Sequence, residues 1–209
     1  MEPRIRLYLA SSNPGKLREF RVLAASDAQG VAEELSAPVE IDWLPGFDSL
    51  PSFEEDAPTF AENAVGKALH YSRLREERVF ADDSGLVVPA LGGAPGVHSA
   101  RYAGPNATNA ERIAKLLGEL RGKVGAGRTA YFVCAIALAE RGKAMAIVTA
   151  RVDGEILEAP RGSGGFGYDP VFYFPALEKT FAELLPEKKN KYSHRGKAFR
   201  KLINSLRVL

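Results

Sequence analysis

The stretch FADDSGLVVPALGGAPGVHSARYAG, residues 80–104, decides how the rest of the chain is interpreted. Residues 79–81 end an apolar run, so we predict a buried strand that opens into a turn at residues 82–85, Asp-Asp-Ser-Gly. Neighbouring side chains of a strand point to opposite faces, so one aspartate can face a pocket while the other supports the backbone. Taken alone, the stretch favours the simpler interpretation of an ordinary turn.

Composition limits the classes of function that the chain can have. Of its 209 residues, 45% are hydrophobic and 26% are charged, as is typical of a soluble globular enzyme. A net charge of +2 gives no general field for gripping nucleic acid, so we expect no nucleic-acid partner. The single cysteine, Cys134, excludes a disulfide within the chain, which is compatible with the cytoplasm. The apolar run at 5–10 is too short for a membrane span, so we expect no membrane association.

The first candidate site follows the strand predicted at residues 5–10. There Ser11-Ser12-Asn13-Pro14-Gly15-Lys16 leads into a helix, with Asn13 suited to the N-cap and Pro14 to the first helical position. Lys16 in the first turn opposes the helix dipole, unless an anion binds there and the backbone N–H groups and Lys16 converge on a phosphate. The alternative is a solvated lysine on an exposed turn. The spacing of a P-loop is missing.

A second candidate site is acidic. Glu54-Glu55-Asp56 precedes a helix that begins with a capping box formed by Thr59 and Glu62. Acids before a helix often serve only the helix dipole. They also supply oxygen ligands, and together with Asp82 and Asp83 they give two separated acidic clusters that could share a magnesium ion.

The second half of the chain has the pattern of antiparallel strands. Long strands are predicted at 129–139 and 144–152, and Asp153-Gly154 is a hairpin signal that leads to a further short strand at 155–157. The first half alternates strand and helix, although residues 26–39 are polar and small with no clear period. We therefore predict an α/β fold with a mixed sheet and no linker that separates independent domains.

Two further segments carry the residue types of a ligand site. In GSGGFGYDP, residues 162–170, glycines allow the backbone to approach a ligand closely while Phe166 or Tyr168 offers a stacking face. The alternative is a bulged hairpin whose aromatic rings pack inward. Near the C-terminus a basic segment ends at His194 and Arg195, which would lie at the positive end of a closing helix, although a basic tail is usually a solvated surface.

Taken together, these segments resemble the inosine triphosphate pyrophosphatase (Ham1-like) family. The resemblance rests on five blocks that run nearly end to end in the family's order, which are SSNPGK at 11–16, TFAENA at 59–64, the stretch at 80–104, GGFGYDPVF at 164–172 and SHRGKA at 193–198. It is weakest at 26–53. In the acidic loop the chain has Ala57 near a position where the family has a glycine, which leaves both Glu54 and Glu55 as candidate metal ligands.

The resemblance implies hydrolysis of non-standard purine nucleoside triphosphates (ITP, dITP and XTP) to the monophosphate and pyrophosphate, which keeps deaminated purines out of DNA and RNA. The implied fold is a two-lobed single α/β domain over residues 1–209. It is built around a long mixed β-sheet with helices on both sides and the active site in the cleft between the lobes. The family resemblance also implies a homodimer and Mg²⁺ as the cofactor.

The resemblance assigns roles to individual residues. Asp83 is implied as the general base and as a magnesium ligand, Glu54 as the other metal ligand, and Glu55 or Asp82 as support. The implied substrate contacts fall into three groups, which are Ser11, Ser12, Asn13, Pro14, Gly15, Lys16 and Ser84 for the phosphates and sugar; Phe166, Gly167, Tyr168 and Asp169 for the nucleoside; and Lys189, His194 and Arg195 for the base and phosphates.

Selectivity for 6-oxo purines follows from the implied donors. His194 and Arg195 would satisfy a carbonyl oxygen at position 6 but would face the amino group of adenine unpaired. Two other functions stay open at this point. One is a nucleotide-binding or sensing protein without turnover, and the other is a pyrophosphatase for a pyrimidine or a differently modified nucleotide.

Overall fold

A computed structural model describes residues 4–27 and 38–208 of the chain. Most of the polar segment at 26–39 therefore lies outside the described residues. The chain forms two compact units, which are interleaved along the sequence. Unit 1 contains Met1–Asp83, Cys134–Ala150 and Arg195–Leu209, and unit 2 contains Ser84–Val133 and Arg151–His194. Within the described ranges, no helix has the length and apolar character needed to cross a membrane.

The strands form a seven-stranded sheet in the order β2-β1-β3-β4-β5-β6-β7. β1 pairs in parallel with both β2 and β3, whereas β6 pairs antiparallel with β5 and β7, so the predicted mixed sheet is confirmed. The strands are β1 (Ile5–Leu9), β2 (Val39–Trp43), β3 (Val79–Val87), β4 (Thr129–Glu140), β5 (Lys143–Ile156), β6 (Phe172–Phe174) and β7 (Lys179–Thr180).

Five α-helices accompany the sheet in the described ranges, and three of them begin at a side-chain cap. Asn13 Oδ1 accepts the backbone N–H of Gly15 at 2.9 Å, and Thr59 and Thr108 accept the N–H groups of Glu62 and Glu111. The helices are α1 (Pro14–Asp27), α2 (Phe60–Ser72), α3 (Asn109–Glu119), α4 (Pro186–Tyr192) and α5 (His194–Ser205).

In unit 1 the helices cover both faces of the sheet, as predicted. Successive strand residues alternate between two apolar clusters: Phe80, Cys134 and Ile136 belong to one, and Ala81 and Ala135 to the other. The first cluster packs against α1 and α5, and the second packs against α2. β3 therefore presents one side-chain row to α1 and α5 and the other row to α2.

Unit 2 has its own core, which is rich in aromatic side chains. Phe132, Phe172 and Phe181 pack together, with ring centres 4.5 Å apart for the first two and 5.0 Å for the last two. Tyr168 joins this cluster and is only 4% exposed. The loop predicted to bind a nucleoside is thus tied to the core by one of its two aromatic rings.

The predicted turn at residues 82–85 is wrong, because β3 continues through these residues to Val87. The turn-forming residue types are outweighed by burial on both sides of the strand, since Asp82 and Asp83 are 0% and 5% exposed and Leu86 is fully buried. The local preference of Asp, Ser and Gly for turns therefore loses to the tertiary contacts of the strand.

The predicted hairpin at Asp153-Gly154 is also wrong, because β5 runs without interruption from Lys143 to Ile156. Gly154 is required by a close approach instead: a Cβ atom there would lie 2.4 Å from the carbonyl oxygen of Tyr173 and 2.6 Å from the ring of Phe172. The long strands predicted at 129–139 and 144–152 are confirmed as β4 and β5, and the chain turns between them at Arg141-Gly142, with φ of 49° and 74°.

Candidate active site

β3 directs its two aspartates to opposite faces of the sheet. Asp82 follows Phe80 onto the face covered by α1 and α5, and Asp83 follows Ala81 onto the face covered by α2. This alternation is the one that the sequence predicted. As a result, the two neighbouring carboxylates have entirely different surroundings.

Asp82 is the centre of a buried ion network in unit 1. Its Oδ1 lies 3.0 Å from Nζ of Lys16, and its Oδ2 lies 3.5 Å from Nε of Arg195. Arg195 also forms an ion pair with Glu19 of α1. Two cations and two carboxylates thus neutralise one another where the start of α5 meets α1. Burial by itself would raise the pKa of Asp82, but the charges of Lys16 and Arg195 outweigh it and lower the pKa to about 2.

The same network affects Arg195. Burial works against its charged form, but the neighbouring carboxylates of Glu19 and Asp82 raise its pKa above the usual value. Arg195 is therefore a permanent cation, 3% exposed, and its guanidinium is held by two carboxylates. Its predicted contact with a substrate stays a prediction.

Asp83 is held by an amide, whereas Asp82 is held by cations. Nδ2 of Asn63 on α2 donates to Asp83 Oδ2 at 3.0 Å. Asn63 also accepts the backbone N–H of Ala57 at 3.0 Å and donates to its carbonyl oxygen at 3.3 Å. One fully buried side chain therefore ties Asp83 to the acidic loop at residues 54–57.

The acidic loop acts on Asp83 through charge. Burial raises the pKa of Asp83 to about 6, and the negative charge of Glu55 adds to this effect. Glu55 is partly buried and forms an ion pair with Lys67 of α2, whereas Glu54 is exposed. Of the two glutamates that the sequence left as candidates, Glu55 is the one whose charge is felt at Asp83.

The residues present fit a divalent metal ion that prefers oxygen ligands. No group of three or more His, Cys, Asp or Glu side chains is placed to hold a metal within residues 4–27 and 38–208. Magnesium does not need such a cage, because it is usually held by one or two carboxylates and keeps waters and substrate phosphates as its other ligands. Burial and the charge of Glu55 both raise the pKa of Asp83, so its negative charge is unfavourable there. A cation bound beside Asp83 would offset this electrostatic cost.

The predicted phosphate loop begins α1 as expected. Ser11 is buried, and its Oγ accepts the backbone N–H of Asn13 at 3.2 Å. Lys16 is not a solvated side chain: it is 15% exposed, and its Nζ donates to the backbone carbonyl of Asp82 at 3.3 Å in addition to the carboxylate contact. The lysine that opposes the helix dipole therefore has a built-in anion in Asp82.

In unit 2, the loop around Phe166 is fixed at two points. The hydroxyl of Tyr168 donates to the carbonyl oxygen of Ser99 at 3.0 Å. Oδ2 of Asp169 accepts hydrogen bonds from Nζ of Lys189 at 2.6 Å and from the backbone N–H of Phe166 at 2.8 Å. Because Tyr168 packs inward, Phe166 is the aromatic ring of this loop that retains partial exposure.

His194 lies at the first position of α5 and is 4% exposed. Its ring stacks on Phe132, with centres 4.6 Å apart and planes 12° from parallel. Ser84 follows Asp83 in β3 and is partly buried. Gly167 has φ of 64° and open space where a side chain would be, so it imposes no steric limit on an approaching group.

Three residues that contact the predicted site were missed from the sequence: Asn63, Lys67 and Glu19. Asn63 and Lys67 are four residues apart on α2, next to the buried Ala64 and Ala68. A polar pair beside apolar residues of a helix was the sequence signal that could have identified them. Glu19 gives no such signal, because an acid in the second turn of a helix is common on solvated surfaces.

The chain is similar to known proteins over almost its whole length. The model of the Ham1 family matches residues 7–205. A dITP/XTP pyrophosphatase of Geobacillus kaustophilus is 54% identical over 196 residues, covering 94% of this chain and 91% of the relative. A dITP/XTP pyrophosphatase of Gloeobacter violaceus is 51% identical over 198 residues, covering 95% and 92%.

Solved structures of Ham1 proteins are similar to this chain in fold. A HAM1 protein from Coxiella burnetii superposes with a TM-score of 0.81 at 42% identity, covering 98% of this chain and all of that one. The Ham1 protein of Staphylococcus aureus superposes with a TM-score of 0.80 at 36% identity, covering 96% and 97%. The chain is therefore a member of the Ham1 family.

Proposed function

We propose that this protein hydrolyses the non-standard purine nucleoside triphosphates dITP, XTP and ITP to the monophosphate and pyrophosphate. Relatives that are 54% and 51% identical over nearly their whole length are dITP/XTP pyrophosphatases. The observation that carries the proposal in this chain is the pair of aspartates on β3. Asp82 is neutralised by Lys16 and Arg195, while Asp83 is buried beside an amide and a second acid.

Asp83 has the properties of the group that handles the attacking water. With a pKa of about 6 it is ionised at neutral pH and can still accept a proton, which is the range that suits general base catalysis. The water oxygen forms a bond to the α-phosphorus, the bond from that phosphorus to the α,β-bridging oxygen breaks, and pyrophosphate leaves. Asn63 holds the carboxylate in one orientation, which would let Asp83 position the water in line.

A divalent metal fits this site, and we propose Mg²⁺. Asp83 and one glutamate of the acidic loop would hold it, with Glu55 favoured over Glu54 because the charge of Glu55 is the one that raises the pKa of Asp83. When bound, Mg²⁺ neutralises charge on the phosphates and on the leaving pyrophosphate. Lys67 beside Glu55 keeps that glutamate oriented.

The cations of unit 1 suit phosphate binding. Lys16 lies in the first turn of α1, where the free backbone N–H groups of a helix start favour an anion. Ser11, Ser12, Asn13, Pro14 and Gly15 form the turn that precedes it, and Ser84 follows Asp83. We propose that these residues contact the phosphates and the sugar.

Base recognition is assigned to Phe166, Gly167, Tyr168, Asp169, Lys189, His194 and Arg195. Phe166 would stack on the purine, since it is the aromatic ring of its loop with partial exposure. Donors from His194 and Arg195 would pair with the 6-oxo group and leave a 6-amino group unsatisfied, which discriminates against ATP. Tyr168 supports the loop from the core through Ser99.

The proposal is tested with a panel of triphosphates. The purified protein is incubated with Mg²⁺ and ITP, dITP, XTP, GTP, ATP, dUTP or TTP, and the products are identified by chromatography. We expect monophosphate and pyrophosphate from ITP, dITP and XTP, and much slower turnover of the others. Orthophosphate and a diphosphate product, equal rates on all substrates, or tight binding without turnover would each contradict the proposal. Light scattering of the same sample tests the proposed homodimer.

The metal assignment is tested with a matched pair of variants. Glu54→Gln and Glu55→Gln remove the same charge from neighbouring positions of one loop. We expect Glu55→Gln to raise the Mg²⁺ concentration needed for half-maximal turnover by about tenfold or more, and Glu54→Gln to change it little. The opposite ranking would assign the ligand to Glu54.

A further inference from the structure

The backbone of Phe166 is tied to a buried ion pair in unit 2. Nζ of Lys189 lies 2.6 Å from Oδ2 of Asp169, and the same oxygen accepts the backbone N–H of Phe166 at 2.8 Å. Asp169 and Lys189 are only 3% and 4% exposed. A single carboxylate oxygen therefore connects Lys189 of α4 to the backbone of the loop that presents the ring.

The loop is built around this carboxylate. Gly165 has φ of 70°, and a Cβ atom at that position would lie 2.0 Å from Oδ2 of Asp169. A side chain at residue 165 would displace the carboxylate from both of its partners. The glycine is thus required by the close approach of Asp169, in addition to its backbone conformation.

Lys189 also contacts the ring itself. Its ammonium lies over the face of Phe166, 5.1 Å from the ring centre. A buried cation at this distance is attracted by the ring and restricts its rotation. With the ammonium over one face, a purine base would stack on the other face of Phe166.

We propose that Asp169 and Lys189 are a positioning pair that fixes the ring of Phe166 before a nucleotide binds. The inference deepens the proposed function and rests on it for the stacking role of Phe166. The alternative is that Lys189 acts only by a direct contact with the substrate, which predicts no change at the ring of Phe166 in the nucleotide-free protein when Lys189 is replaced.

Kinetics of single and double variants test whether Asp169 and Lys189 act as one unit. We expect Lys189→Met and Asp169→Asn each to raise KM for ITP by about tenfold, equivalent to losing one base-stacking contact, with kcat within about twofold. The double variant should then raise KM by about tenfold as well, because the second change removes an interaction that is already lost. Multiplied effects, near a hundredfold, would overturn the proposal.

Lys188→Met is the matched control, since it removes the same charge from the exposed neighbouring residue of α4. It should leave KM unchanged. If it raises KM as much as Lys189→Met does, the effect arises from the general charge of α4 and the positioning role is refuted.

A second readout needs neither substrate nor turnover. In nucleotide-free protein labelled with 4-fluorophenylalanine, the ¹⁹F resonance of Phe166 is identified by its loss in Phe166→Leu. We expect one narrow line that shifts or broadens in Lys189→Met, in Asp169→Asn and in the double variant, and that stays in place in Lys188→Met. An unchanged line in the double variant would overturn the proposal.

The two readouts separate this inference from the proposed function. Absence of ITP hydrolysis by the wild-type protein would refute the function, while the ¹⁹F lines would still decide whether the pair fixes Phe166. The double variant protects the test against misfolding, because it leaves no unpaired charge in the buried site, whereas each single variant leaves one.

Discussion

The two faces of β3 shift the pKa of an aspartate in opposite directions. On the face of α1 and α5, Asp82 is surrounded by Lys16 and Arg195, and these cations lower its pKa to about 2 against the effect of burial. On the face of α2, burial and the charge of Glu55 raise the pKa of Asp83 to about 6. Because both residues are aspartates, the difference comes from the helices packed on each face.

The difference separates a structural charge from a chemical one. Asp82 is ionised across the physiological range and already has its counterions, so it is suited to holding cations in place. Asp83 is ionised at a cost, with an amide as its close partner, so it is suited to accepting a cation or a proton. The two faces can therefore be tested by making the same substitution on each.

The largest expected effect is the loss of turnover in Asp83→Asn. The substitution keeps the shape and removes the charge, so the group that orients water and would bind the metal is lost. We expect kcat for ITP to fall by about a thousandfold or more, as is typical of removing a general base. Pyrophosphate release measures it, and circular dichroism checks the fold. A kcat within about tenfold of the wild type would remove Asp83 from this role.

The next largest effect should be on stability, in Asp82→Asn. Removing this charge takes away the carboxylate that pairs with both Lys16 and Arg195 in a buried network, while Glu19 still pairs with Arg195. Breaking a buried ion network at one partner lowers the free energy of unfolding by about 3 to 5 kcal/mol. Urea denaturation at pH 7 measures it. The loss should shrink as the pH falls below 4 towards 2, since Asp82 becomes protonated in the unfolded chain first.

An unchanged urea midpoint in Asp82→Asn would contradict this account of the α1 and α5 face. Asp42→Asn is the control, because Asp42 is an exposed aspartate that pairs with the exposed Arg21. Its substitution should change the free energy of unfolding by less than about 1 kcal/mol.

The comparison also shows where sequence reasoning succeeds and where it stops. The alternation of side chains along a strand was enough to separate Asp82 from Asp83, because it follows from backbone geometry alone. The capping residues Asn13 and Thr59 likewise marked helix starts correctly, since a cap is a local hydrogen bond.

What failed was the choice between turn and strand. Asp82 to Gly85 and Asp153-Gly154 have the composition of turns, yet both lie within strands. At the first, the deciding contacts come from residues up to 113 positions away, such as Arg195. At the second, they come from Phe172 and Tyr173 of β6. Such distant contacts leave no local pattern, which is also why Glu19 was missed.

On the other face, the same kind of substitution should stabilise the protein. In the metal-free protein, the pKa of Asp83 is about 6 in the folded state, above its ordinary value of 3.8, so the folded state keeps this proton to higher pH than the unfolded chain does. The protonated carboxyl of Asp83 therefore favours the folded state at low pH, and this stabilisation is lost as the pH rises from about 4 through about 6. Asp83→Asn should raise the free energy of unfolding by up to about 3 kcal/mol above pH 7 and by little at pH 4.

Urea denaturation in the presence of a chelator measures this gain over pH 4 to 8. Addition of Mg²⁺ should stabilise the wild type and not Asp83→Asn. A loss of stability in Asp83→Asn at pH 8 would mean that Asp83 resembles Asp82, and the contrast between the two faces would be lost.

The smallest expected effect is a shift in the titration of Asp83 when its amide partner is removed. The hydrogen bond from Asn63 favours the ionised carboxylate, so Asn63→Ala should raise the pKa of Asp83 further above 6, by less than about one unit. The pKa of Asp82 should stay low, because its cations lie on the other face. The carboxyl ¹³C signals of metal-free protein report both titrations, with Asn109→Ala on α3 as the control. Parallel shifts of both carboxyls would show that the faces are coupled, whereas a shift of Asp83 alone would assign its state to α2 and the acidic loop that Asn63 holds.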